Sequence, residues 1–127
     1  MTPNVLRHPA SPRAPAGARV FVVQETDHNL LAATDYGELV FLLPKGLNVT
    51  YAAQPVARQL RALLRDAGPL DLLLPTGDPV AIAVAAAVLA EALGGRLRVL
   101  KYDRQERRYF PVEVDIFDRT PVAQTGT

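Results

Sequence analysis

Cysteine is absent from the 127 residues, and serine occurs once. Without cysteine there is no disulfide framework, no thiolate nucleophile and no cysteine-ligated zinc, a usage that suits a cytosolic protein. The single serine, Ser11, stands in a Pro/Ala-rich leader, and His28 is the only histidine beyond it. A Ser-His-Asp triad or a multi-histidine zinc site cannot be assembled from such a chain, so no metal and no cofactor is expected. Long apolar runs are missing too: Pro79 to Ala90 is about half of the ~20 residues of a spanning helix. The first residues carry Arg7, Arg13 and Arg19 without a compact apolar core, so neither an export signal nor a membrane partner is expected. With 14 basic against 13 acidic residues, a formal net charge of +1, no global field draws the chain toward nucleic acid.

The residues present divide into a flexible leader (1–18), one domain (19–117) and a tail (118–127). Arg19 to Gln24 is β-branched and aromatic and reads as a strand. A polar loop follows, then a second strand over Glu38 to Leu43, stopped by Pro44-Lys45-Gly46. Gln54 to Ala67 is the first helix, with Val56, Leu60, Leu63, Leu64 and Ala67 on one side and Arg58, Arg61 and Arg65 on the other. Leu70 to Leu74 is an apolar strand. Asp78 is an N-cap and Pro79 a first helical residue, so a second helix runs to Leu93 and ends at Gly94-Gly95. Arg96 to Tyr102 and Arg108 to Ile116 close the pattern. In the last strand Phe110, Val112, Val114 and Ile116 alternate with polar neighbours, predicting one buried face, and Pro111 predicts a sheet edge. The order β-β-α-β-α-β-β implies an α/β fold: a single small Rossmann-like domain, with a mixed sheet of about five strands and two main helices.

The second helix is apolar on every side from Val80 to Ala90. Burying one more valine or leucine is worth roughly 1.5–3 kcal/mol, so a homo-oligomer is expected, with Val80, Val84, Ala87 and Val88 at its interface.

Three segments carry candidate chemistry. The turn Pro75-Thr76-Gly77-Asp78-Pro79 lies where a central parallel strand meets a helix start, a place where open α/β sheets bind ligands. Thr76 and Gly77 are its candidate contacts, and Asp78 reads as a cap. The hairpin from Lys101 to Tyr109 interleaves basic and aromatic residues, a composition that holds phosphates and stacks bases; its candidates are Lys101, Tyr102, Arg104, Gln105, Arg107 and Arg108. Arg58, Arg61 and Arg65 would enlarge that positive patch. The loop Glu25 to Asn29 places His28 beside carboxylates, where it serves as a weak general-base candidate, with Lys101 as the other.

The segment L-L-L-P-T-G-D-P-V-A-I-A-V-A-A-A, with R-V-L-K-Y-D-R-Q-E-R-R-Y-F-P-V-E-V-D and Y-G-E-L at Tyr36 to Leu39, resembles a family of small proteins from tailed phages and prophage-like elements. The resemblance covers most of the chain after Arg19 and implies a phage or mobile-element context, in the host-cell cytoplasm, rather than an activity. A fainter similarity links the turn and its alanine-rich helix to Rossmann-like domains that sense cyclic oligoadenylates, although Asp78-Pro79 replaces the second glycine of their Thr-Gly-Gly. The function expected is that of a non-enzymatic, oligomeric accessory protein binding a nucleic acid or nucleotide. Two alternatives stand beside it: a module docking on a host or virion protein, and a metal-independent phosphodiesterase of ring-nuclease type.

Overall fold

In the computed structural model, which describes residues 5–123, six strands form one mixed sheet. They are β1 (Arg7–His8), β2 (Arg19–Gln24), β3 (Glu38–Leu43), β4 (Leu72–Leu74), β5 (Arg96–Asp103) and β6 (Arg108–Asp115). Helix α1 (Ala53–Leu63) and helix α2 (Pro79–Ala92) join β3 to β4 and β4 to β5, and a 3-10 helix (Leu31–Tyr36) joins β2 to β3. The spatial order is β1-β3-β2-β4-β5-β6. β3, β2, β4 and β5 run parallel, and β1 and β6 are antiparallel edges.

The sheet thus has one strand more than the five expected. The sixth comes from the segment read as a leader: Arg7 and His8 pair with Val40 and Leu39. Ser11 also anchors it, donating its backbone N–H to the Thr34 carbonyl and its hydroxyl to Asp35. The outermost residues assigned to leader and tail, 1–4 and 124–127, lie outside the described residues. α1 is shorter than its apolar period suggests. Its last regular residue is Leu63, after which Ala67 N–H turns back onto the Leu64 carbonyl and the chain tightens toward Gly68.

Two layers of core enclose the sheet. On one face, Phe21, Val23, Val40 and Leu73 pack against Val56 and Leu60 of α1 and against Ala81, Ala85 and Leu89 of α2. On the other, Val20, Val22, Leu72, Leu74 and Leu100 pack against Leu30 and Ala33. β2 and β4 are buried on both faces, as their uninterrupted apolar runs require. Asp78 caps α2, accepting hydrogen bonds from Val80 N (2.8 Å) and Ala81 N (3.3 Å). None of the helices among the described residues is long and apolar enough to cross a membrane.

Much of the apolar surface of α2 packs within the domain. Val88 is buried in the domain's own core, 8% exposed, and Val84 is half-buried against it. Of the four residues expected at an oligomer interface, Val80 and Ala87 are exposed, Val84 is half-buried and Val88 is buried. The final strand departs from expectation in the opposite sense. The face expected to be buried is open, with Val112 40%, Val114 45% and Ile116 56% exposed, while Tyr109 on the other face is buried. Leu97, cross-strand partner of Val114, packs against the helical layer, so this open face lies on the same side of the sheet as α2. One helix over β2, β4 and β5 does not reach the outermost strand.

Candidate functional site

The strand order reverses between β2 and β4: the connection from β2 leads to β3 on one side, and that from β4, through α2, leads to β5 on the other. Ligands of open α/β sheets bind outside the carboxyl ends of the strands at such a point. Here that point is closed by Gln24, the last residue of β2 and 5% exposed. Its Nε2 donates to the carbonyls of Pro44 (3.1 Å) and Leu47 (3.0 Å), and its Oε1 accepts from Asp78 N (2.8 Å). Its backbone N–H donates to Thr76 Oγ1 (3.1 Å), and the Thr76 hydroxyl donates to the Gln24 carbonyl (2.6 Å). One amide therefore ties the β3–α1 and β4–α2 loops to the end of β2. The Thr76 hydroxyl, expected to contact a ligand, is committed to the chain itself. Gly77 lines a separate polar groove between the Glu25–His28 loop and Lys45–Thr50, where Lys45 and Asp27 form an ion pair.

The open cleft lies one strand further along. Leu73 opposes Val99 in the parallel β4–β5 register, so Leu100 comes level with Leu74 and the end of β5, Lys101 to Asp103, runs on past β4. The space beside this overhang is a cavity of about 760 Å³, within the 300–1,000 Å³ usual for small-molecule sites. Leu74, Val99 and Leu100 contribute apolar walls, and His28, Asn29, Thr76, Lys101, Tyr102 and Arg104 contribute polar groups. Three segments far apart in sequence thus meet in one cleft. Among the described residues, no carboxylate lines it. Among the described residues neither Lys101 nor Arg104 has a salt-bridge partner.

Tyr102 and Tyr109, cross-strand partners, meet edge to face with ring centroids 5.1 Å apart. Tyr102 is 47% exposed and Tyr109 only 7%. Burial, helped by the Tyr102 phenol, raises the Tyr109 pKa above the usual value. The Tyr36 hydroxyl donates to the Tyr109 carbonyl at 2.9 Å, fixing the 3-10 helix against β6. At the hairpin tip, Asp103 accepts from Gln105 N and Glu106 N, and the Arg108 guanidinium sits 4.5 Å from the centre of the Phe110 ring. Gln105, Arg107 and Arg108 are exposed on that tip, outside the cleft lining.

One arginine of α1 serves another purpose. Arg61 makes a bidentate pair with Glu91 of α2 (2.9 and 3.1 Å), which lowers the Glu91 pKa, and α1 packs chiefly on α2. Among the described residues, no group of three or more His, Asp or Glu side chains could hold a metal ion. Residue-by-residue reading of the sequence passed over Gln24, whose one signal is an amide ending an otherwise apolar strand, and Asn29, which carries none.

A family model described as Phage Pam3 gp32-like protein matches residues 18–116, most of the chain. No curated protein and no solved structure matches it.

Proposed function

The chain belongs to the Phage Pam3 gp32-like protein family, and we propose that it is a non-enzymatic phage protein that binds a nucleotide or single-stranded nucleic acid in the cleft beside β5. The observation that carries this reading is the convergence of Lys101, Arg104 and Tyr102 on a cleft with apolar walls and no carboxylate. A phosphate gains from two cations that no acidic side chain neutralises, and a base gains a stacking surface worth about 1–3 kcal/mol. The overhanging end of β5 supports the reading by holding Lys101 and Tyr102 on a paired strand, with Arg104 at the start of the turn that follows. The strand order, with a helical layer on one face and a 3-10 helix on the other, supports a Rossmann-like description of the domain, and such a protein would work in the host-cell cytoplasm.

Fluorescence anisotropy with single-stranded, duplex and cyclic oligonucleotides at low salt tests the proposal. Binding to single-stranded or cyclic probes that weakens steeply as salt rises is the expected result. Absence of binding, or binding indifferent to salt, overturns it.

A second reading is favoured by one observation: His28 lines the same cleft as Lys101. In a metal-independent phosphodiesterase, His28 would take the proton of a ribose 2′-hydroxyl as its oxygen attacks the adjacent phosphorus. The 5′-oxygen would leave, and Lys101 would neutralise the developing charge. Linear products from a cyclic oligoribonucleotide, lost in His28→Ala, would establish this activity; an unchanged cyclic substrate would eliminate it.

A further inference from the structure

The outer edge of β6 carries a second, independent message. Ile116 N–H donates to the Gly95 carbonyl at 2.9 Å, continuing the antiparallel register in which Arg96 opposes Asp115 and Asp103 opposes Arg108. Backbone groups alternate in direction along such a strand. Phe110, Val112 and Val114 therefore bond inward to β5, and Tyr109, Pro111, Glu113 and Asp115 turn their backbone groups outward. The missing N–H of Pro111 falls on the outer edge and takes nothing from the β5 ladder. No strand among the described residues pairs with this edge, and every residue from Pro111 to Thr120 is exposed.

We propose that β6 is the seam of a homodimer, in which two copies of β6 pair antiparallel about a two-fold axis at Val112. The choice of register follows from the residues that face outward. A two-fold at Pro111 sets two prolines opposite each other, with no donor between them. An axis at Glu113 or Val114 sets carboxylates opposite carboxylates, which is destabilising. At Val112 both conflicts disappear. Tyr109 then opposes the second copy's Asp115, exchanging two backbone bonds. Pro111 opposes the second copy's Glu113, whose N–H bonds to the Pro111 carbonyl.

Side chains agree with the backbone. On the helix-bearing face, Val112 meets its own copy and Phe110 meets the second copy's Val114, covering part of the strip that is 40–56% exposed from Val112 to Ile116. The strand is basic at its start, through Arg108, and acidic toward its end, through Glu113 and Asp115. Antiparallel pairing sets each basic end beside the other copy's acidic end, a complementarity that a parallel arrangement would invert. An isologous seam of this kind closes on itself and does not propagate into a fibre. Val112 also lines the cleft, so the axis brings the two clefts side by side.

Light scattering coupled to size exclusion, over a broad concentration series, tests the proposal on the full chain. The wild-type chain is expected to run as a dimer. Val112→Lys, which places two ammonium groups at the axis, and Glu113→Pro, which removes an outward N–H and leaves the β5 ladder intact, should each run as a monomer. Thermal melts monitored by circular dichroism verify that both variants fold; Val112→Lys, a change at an exposed position, carries the test if Glu113→Pro does not. Ala87→Lys, on the outer flank of α2, should leave the dimer unchanged. A wild-type chain that stays monomeric overturns the proposal, as does a dimer that survives Val112→Lys or disappears in Ala87→Lys.

Discussion

Gly77 lies so close to Gln24 that a Cβ on the glycine would fall 2.5 Å from the Gln24 Cβ. Its φ of +89° is also one that L side chains rarely adopt. The two constraints are separate, and Gly77→Ala violates both. The substitution should lower stability by about 2–4 kcal/mol, read as a fall in the urea midpoint at unchanged slope.

Gln24 itself is the stricter position. Its Nε2 serves two carbonyls at 3.0 and 3.1 Å, and a carboxylate there would meet two acceptors with none to donate. Gln24→Glu should cost about 3 kcal/mol at neutral pH, with part of the loss recovered in acid as the carboxyl takes up a proton. A denaturation series across pH measures both.

Asp71 holds the opposite end of the same strands. It is 3% exposed and accepts from Arg19 N, Arg19 Nη2 and Gly68 N at 2.8–2.9 Å. Asp71→Ala leaves two backbone donors without partners and the half-buried Arg19 guanidinium with its Asp66 contacts alone, and should cost about 3 kcal/mol. Asp66 also pairs with Arg19, but its side chain is 78% exposed, so Asp66→Ala should change stability by less than about 1 kcal/mol. Thermal unfolding of the two variants side by side separates a buried pair from a surface one.

Within the cleft, charge and stacking should separate in one titration. Lys101→Gln and Arg104→Gln should each reduce the salt slope of single-strand binding by about 0.7. Tyr102→Leu should weaken binding by about 1–3 kcal/mol with the slope retained. Arg61→Gln should leave both unchanged, because Arg61 is engaged with Glu91.

Tyr109 should make the fold sensitive to alkali. Burial raises its pKa in the folded chain above the unfolded value of about 10. Between those two values the unfolded chain has released the proton and the folded chain has kept it. The contribution is therefore complete below pH ~10 and is lost as pH rises through the folded pKa. Phenolate absorbance should show one late-titrating tyrosine, absent in Tyr109→Phe, and that variant should lose less stability at high pH.

Much of this architecture was legible in the residues. Arg19 to Gln24 and Glu38 to Leu43 are strands at their expected bounds, because β-branched and apolar runs between turn signals leave few alternatives. Asp78 and Pro79 start α2 because an N-cap followed by proline is a local device, complete within a few residues. Pro111 pointed to an edge strand for an equally local reason, since its nitrogen has no hydrogen to give. The basic and aromatic residues of the hairpin likewise stood out without reference to the rest of the chain.

What sits over a given face was decided elsewhere. The alternation from Phe110 to Ile116 reads as a buried strand, yet whether a helix covers it depends on how far α2 extends across the sheet. The apolar girth of α2 suggested a partner; how its residues divide between core and surface, with Val88 buried, Val84 half-buried and Val80 exposed, was set by α1 and the sheet. Gln24 became the keystone of two loops, and His28, Thr76 and Lys101 came to share one cleft, through contacts between residues roughly 20 to 75 positions apart. Hydrophobic period, caps and turns act over a few residues and are written in order along the chain. Coverage, closure and convergence depend on where distant segments land, and only the folded domain determines that.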